Sequence, residues 1–183
     1  MILNNLPQQF RIGFQTGFFY KEVSDRWSPV VKRMKLPYES VEDFMNAQIQ
    51  SVDFPGINLE ITAQQQGQME VSYPTGKELE PTMAGKTLSI KFKLTESYLP
   101  FWIIYDQIHA YLKYSKDNHK PCFMDPIVLT FLNNTGFALI TFQFKDIVPE
   151  SLSGLPLSYA AQAASFNTVD WGLKYTHYTI ENS

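Results

Sequence analysis

The residues able to do chemistry in this chain are few and badly placed for it. Its three histidines are His109, His119 and His177, and its one cysteine is Cys122. A zinc site draws on closely spaced Cys and His ligands, such as Cys-x-x-Cys or His-x-x-x-His, and none of these four residues has a partner at such spacing. His119 and Cys122 stand three apart, but Pro121 between them favours a polar loop over the rigid pocket a Cys–His nucleophile needs. Glu78 and Glu80, in Gly76-Lys77-Glu78-Leu79-Glu80-Pro81, could share one face of a strand, as the two carboxylates of a glycosidase would. Only Tyr73 lies near enough in sequence to serve as a sugar platform, so charged decoration of a loop is the expectation there. The chain contains no Gly-x-x-x-x-Gly-Lys-Ser/Thr, no Gly-x-Gly-x-x-Gly and no Gly-x-Ser-x-Gly. These residues predict neither catalysis nor a cofactor nor a metal.

The elements that would carry any site are mostly strands. Aromatic residues make up 15% of the 183, which suits half-buried pleated surfaces. Alternation from Phe10 to Phe18 predicts a first strand, and residues 21–38, with Pro29 and Pro37, read as a loop excursion holding at most one helical turn. Ser40 stands as an N-cap three residues before Asp43, so a short helix is expected over 40–47. Ile49 to Phe54 alternates and stops at Pro55-Gly56; Ile57, Leu59 and Ile61 resume. Residues 63–85 are polar and rich in Gln, Gly and Pro, which reads as an exposed loop or hairpin arm.

Lys86 to Thr95 gives the clearest strand, with Leu88, Ile90, Phe92 and Leu94 on one face. Tyr98, Phe101, Trp102, Tyr105, Ile108 and Leu112 then recur at helical steps, predicting a helix over 97–114 packed through that face onto a sheet. Ile127 to Leu132 reads as a strand, and Asn133-Asn134-Thr135-Gly136 as a turn. Phe137 to Val148 reads as one long strand that is apolar on both faces, Pro149 to Pro156 as a loop, and Ser165 to Ile180 as a closing strand. Ile140 and Phe142 on the two-faced strand are candidates for contact with another copy.

Composition narrows the class further. The formal charge of −3 argues against a generic nucleic-acid coat, which needs surplus Lys and Arg against phosphates. The longest apolar run of note, Phe101 to Tyr105, is too short to span a membrane. The opening Met1-Ile2-Leu3-Asn4-Asn5 predicts no signal peptide, and a lone cysteine fits a reducing compartment. Charge alternates in blocks, with net +4 over residues 1–35, −7 over 36–85, +3 over 86–120 and −3 over 121–183. Such blocks suit head-to-tail contact between copies as well as they suit a solvated surface.

Three passages together resemble one family. Ile49-Gln50-Ser51-Val52-Asp53-Phe54-Pro55-Gly56-Ile57 is similar to the strand, Pro-Gly corner and strand of bacteriophage tail tube proteins. Leu88 to Leu94 with the following aromatic helix resembles their central strand and single helix, and Phe142 to Leu155 their strand ending in a proline corner. Phe166-Asn167-Thr168-Val169-Asp170-Trp171-Gly172-Leu173-Lys174-Tyr175 is similar to their last strand.

The resemblance implies a mainly β protein: a β-sandwich or barrel of antiparallel strands with one flanking helix, a single domain over 1–183. It implies six-membered rings, stacking into a virion tail conduit that DNA traverses without specific binding, and assembly in the host cytoplasm. Partners would be further copies and other tail, baseplate or portal-side proteins. A repeating tube subunit and a specialised ring at one tail end both fit. In such proteins a long loop reaches the adjacent ring, which pairs Glu70, Glu78 and Glu80 of the arm with Lys32, Arg33 and Lys35 of a neighbour. The alternative is a small monomeric β-sandwich that binds a ligand or partner through its aromatic surplus.

Overall fold

A computed structural model describes residues 10–34, 38–54, 61–66, 69–74, 87–94, 98–118, 122–133, 136–155 and 167–182. In chain order the elements are β1 (Phe10–Phe14), α1 (Lys21–Val31), α2 (Val41–Gln48), β2 (Ile49–Asp53), β3 (Ile61–Gln66), β4 (Met69–Pro74) and β5 (Thr87–Lys93). There follow α3 (Leu99–Asn118), β6 (Ile127–Leu132), β7 (Ala138–Lys145), β8 (Val148–Leu152), β9 (Thr168–Lys174) and β10 (His177–Asn182). Two four-stranded antiparallel sheets result, ordered β1-β6-β7-β10 and β2-β5-β9-β8; among the described residues β3 and β4 pair only with each other. The chain is therefore mainly β, as the sequence predicts, with two sheets instead of a closed barrel.

The interior is where the aromatic surplus goes. Phe14 of the first sheet stacks on Phe92 of the second at 6.2 Å between ring centres and lies 6.1 Å from Trp171. Phe18 and Phe19 close the cluster edge-on. Burial alternates strictly along β5, with Leu88, Ile90 and Phe92 inward, because its odd positions (Thr87, Ser89, Lys91, Lys93) are polar and take the solvent face.

Several expectations hold locally. The Ser40 hydroxyl accepts the Asp43 N–H at 3.1 Å and starts α2 where the capping pattern places it. Asn133 and Gly136 make the turn before β7, with Gly136 at φ 84° and its N–H on the Asn133 carbonyl.

Others are corrected. Residues 21–31 form an eleven-residue helix, not a loop: Val23, Trp27 and Val31 recur at four-residue steps, and Pro29 falls in the last turn, so it removes only one of the final hydrogen bonds, the one to the Asp25 carbonyl. The first strand stops at Phe14. Of the expected strand through Ile57, Leu59 and Ile61, residues 55–60 lie outside the described ones and Ile61 opens β3, while the polar arm holds the β3–β4 pair, as the hairpin-arm reading allows. The single strand expected over 137–148 breaks at Asp146, whose left-handed φ of 54° turns the chain from the first sheet into the second. What reads as a loop after Pro149 is β8, an edge strand, where a residue lacking an N–H does least harm. The closing strand likewise divides into β9 and β10 and crosses back between the sheets. At that double crossing His177 Nδ1 lies 3.1 Å from Asp146 Oδ2, and Thr176 donates to the Lys145 carbonyl.

The helix 97–114 exists as α3, with residues 95–97 outside the described ones, but its face is rotated. Leu99, Ile103, Ile104, Gln107 and Ala110 are buried, while Trp102 and Tyr105 remain 44% and 43% exposed. Three helices accompany the sheets among the described residues: the expected flanking helix, the expected short one, and α1 in addition.

Candidate assembly surface

The first sheet ends in two edge strands, β1 and β10, and they differ in how far their backbone is used. At β1 the Asn46 side chain of α2 meets Phe14 twice: its Oδ1 accepts the Phe14 N–H at 2.8 Å and its Nδ2 donates to the Phe14 carbonyl at 3.3 Å. One end of that edge is thereby closed in the manner of a strand partner. The neighbouring turn is fixed too, since Gly17, at φ 94°, donates its N–H to the buried Glu42 carboxylate at 3.1 Å. Gln107 of α3 completes the clamp, accepting from Tyr20 N–H and donating to the Phe18 carbonyl.

β10 carries no such cap among the hydrogen bonds described. Its Ile180 is 52% exposed although it lies on the core-facing row with Ile12, Leu129 and Phe142. Leu139 at the start of β7 and Phe137 just before it are exposed as well, at 53% and 72%. Ile140 (39% exposed) and Phe142 sit on β7, which pairs with β6 on one side and β10 on the other, so sheet continuation falls to β1 and β10 and not to β7.

A second surface is the outer side of α3. Phe101, Trp102, Tyr105 and His109 form a ladder of rings with successive centres 5–6 Å apart. Trp102 shares an open cleft of about 650 Å³ with Val30, Arg33 and Met34. On its other flank, Phe101, Tyr105 and Ile108 face Pro149 to Gly154 across a groove of about 400 Å³. α1 is held to α3 by Trp27 Nε1 donating to Asp106 at 2.7 Å, with Arg26 on the same carboxylate and Lys113 on Glu22.

Of the charged residues singled out from the sequence, Lys32 and Arg33 are exposed just after α1. Glu70 belongs to β4, and its side chain lies outside the described ones. Lys35, Glu78 and Glu80 lie outside the described residues. Sequence reasoning missed Arg11, Asn46 and Glu181, whose placement depends on strand order; the only local signal was their position on or beside an alternating strand.

Cys122 is half-buried, its sulfur 3.5 Å from the Tyr20 hydroxyl. Burial and that contact raise the Tyr20 phenol, so its hydroxyl stays protonated and packs against the sulfur. Among the described residues no group of three His, Cys, Asp or Glu could hold a metal, and no helix is long and apolar enough to cross a membrane.

No protein-family model matches this chain, and no curated protein does. Solved structures do. A chain of the six-fold symmetrised baseplate of the anti-feeding prophage matches with a TM-score of 0.51 at 10% identity, over 100% of this chain and 98% of that one. A chain of the sheath–tube complex of the extracellular contractile injection system PVC, in its extended state, gives 0.51 at 10% identity, over 100% and 95%. A chain of the tube-terminating cap of the anti-feeding prophage gives 0.51 at 12%, over 100% and 95%. At these identities the likeness is one of fold, and the fold is the tail-tube-like one.

Proposed function

We propose that this chain is a non-enzymatic structural subunit of a tail-like particle, closing with further copies into a ring of the tube or of one tube end. The observation that carries the reading is the end-to-end match of its fold to chains of a tube complex, a tube cap and a baseplate. The molecule supports it independently, because the first sheet ends in two edge strands, one of which carries the exposed Ile180. Part of the aromatic surplus that would favour a monomeric ligand binder is spent inside, in the Phe14–Phe92–Trp171 cluster.

We read the ring as hexameric and the particle as a phage tail, with DNA passing through a lumen that offers too little positive charge to hold phosphates. The chain then works as one domain, with a tail location and cytoplasmic assembly, beside other tail or baseplate proteins. Among the described residues the β3–β4 hairpin belongs to neither large sheet, and an isolated two-stranded hairpin is marginal alone. In this reading it docks on a neighbour, Glu70, Glu78 and Glu80 meeting Lys32, Arg33 and Lys35.

The test is the particle the purified protein makes. Light scattering and negative-stain microscopy should give rings or tubes; a 21.1 kDa monomer at every concentration overturns the reading. Removing residues 66–83 should leave a folded subunit that closes rings but no longer stacks or docks.

A further inference from the structure

We infer that copies join through an antiparallel β10–β1 seam in one register, with Glu181 of one copy opposite Arg11 of the next and Ile180 opposite Ile12. This rests on the ring reading and gives it a residue-level interface.

The register of the first sheet supplies the argument. Arg11 pairs with Thr130, Thr130 with Thr141, and Thr141 with Glu181, so one cross-strand row runs the width of the sheet. It begins in a positive charge at the β1 edge and ends in a negative charge at the β10 edge. Both side chains are exposed, and neither has an ionic partner among the described residues. Rotation about a ring axis lying along the strands preserves strand direction. β10 runs opposite to β1, so a neighbour's β1 arrives antiparallel to β10.

The hydrogen-bond parity agrees. Asn46 holds the Phe14 backbone groups on the side away from β6, so Ile12 and Phe10 also point outward while Arg11 bonds Thr130. Following that alternation across the sheet, Glu181 bonds Thr141, and Ile180 and Asn182 point outward. The outward groups therefore meet as Ile12–Ile180 and Phe10–Asn182. Arg11 and Glu181 form the non-hydrogen-bonded pair between them, the kind whose side chains come closest.

Two features exclude slipped registers. Sliding one ladder step one way sets Ile180, in place of Tyr178, against the Phe14 groups that Asn46 already occupies, and leaves Ile12–Asn182 as the one free outward pair in place of two. Sliding the other way sets Arg11 against Thr179 and leaves Glu181 without its counter-charge. The chosen register also covers Ile180, half-exposed in the single copy.

Disulfide trapping tests the seam. Within one copy Arg11 and Glu181 stand three strand spacings apart, about 14 Å, so a bond between them must join two copies. In a Cys122→Ser background, Arg11→Cys/Glu181→Cys treated with oxidised glutathione should give a ladder ending at the closed ring on non-reducing gels, collapsing on reduction. Arg11→Cys/Thr179→Cys and Gly13→Cys/Glu181→Cys, the two slipped pairs, should stay uncrosslinked; a Cβ at Gly13 meets nothing within 4 Å. Charge exchange gives a second reading: Arg11→Glu should abolish rings and Arg11→Glu/Glu181→Arg should restore them. Rings in which a slipped pair crosslinks, or that survive Arg11→Glu, overturn the register and leave the ring reading standing. Protein that never oligomerises, even without substitutions, overturns both.

Discussion

β5 and the first half of α3 each present apolar side chains, and they spend that character differently. In β5 every apolar side chain is inward, and every outward position is polar: Lys91 lies 3.6 Å from Asp170, and Thr87 donates to Glu150. In α3 the inward side is Leu99, Ile103, Ile104 and Gln107, yet Phe101, Trp102 and Tyr105 form a second apolar side facing solvent. A strand with one polar face leaves a single way to bury it. A helix apolar on both sides satisfies the core with either, and the side left over is surface that a partner can use.

The comparison predicts its largest effect in the second sheet. Trp171, opposite Ile90 on β9, is fully buried, with Phe14, Phe18 and Phe92 about 6 Å away. Trp171→Ala should cost about 3–5 kcal/mol in denaturant unfolding, since the rigid cluster cannot collapse into the space. Trp171→Phe should cost much less, because it keeps a ring and removes a buried N–H that has no partner. A loss under about 1 kcal/mol for the alanine variant would mean that the strand side of the comparison is not the core.

On α3 the two sides should separate. Ile103→Ala, at a fully buried position, should lose about 2–5 kcal/mol. Trp102→Ala, one residue earlier, should lose only about 1 kcal/mol, the worth of its contacts with Phe101 and Tyr105. Equal losses at the two sites would restore the face read from periodicity and erase the difference between helix and strand.

That difference also marks how far the sequence was legible. β5, the Ser40 cap and the Asn133–Gly136 turn were readable because each rests on a local rule with one solution. α1 was hidden by Pro29, which reads as a stop but occupies a last turn. The break at Asp146 carries no glycine, only an aspartate that tolerates positive φ, and both flanking strands are apolar enough to run together. The candidate seam was hidden for a different reason. Which strands are edges, and that Arg11 and Glu181 end one row, follow from pairing order between distant segments, which no window on the chain contains.

The smallest effect lies where the two regions approach each other. Glu150 on β8 accepts from Lys174 Nζ at 2.8 Å and from Thr87 Oγ1 at 2.8 Å, and it borders the groove under Phe101, Tyr105 and Ile108. The Lys174 contact, then the Thr87 hydroxyl, hold its carboxyl below the ordinary 4.5. A carboxyl depressed in the folded state stabilises it above the unfolded value, and that contribution is lost as pH falls through the lower folded value. The window is therefore acidic, below the ordinary carboxyl range, and because Glu150 is exposed the change in stability should be slight. Carbon-detected NMR titration of the Glu150 carboxyl should show the depressed midpoint, and Lys174→Met should move it up toward 4.5. Trp102→Ala should leave the titration unmoved, because the polar face of the second sheet is tied by its own strands and not by the helix. A midpoint that followed Trp102 would show the outer side of α3 already engaged within the single copy, and would take it out of reach of a partner.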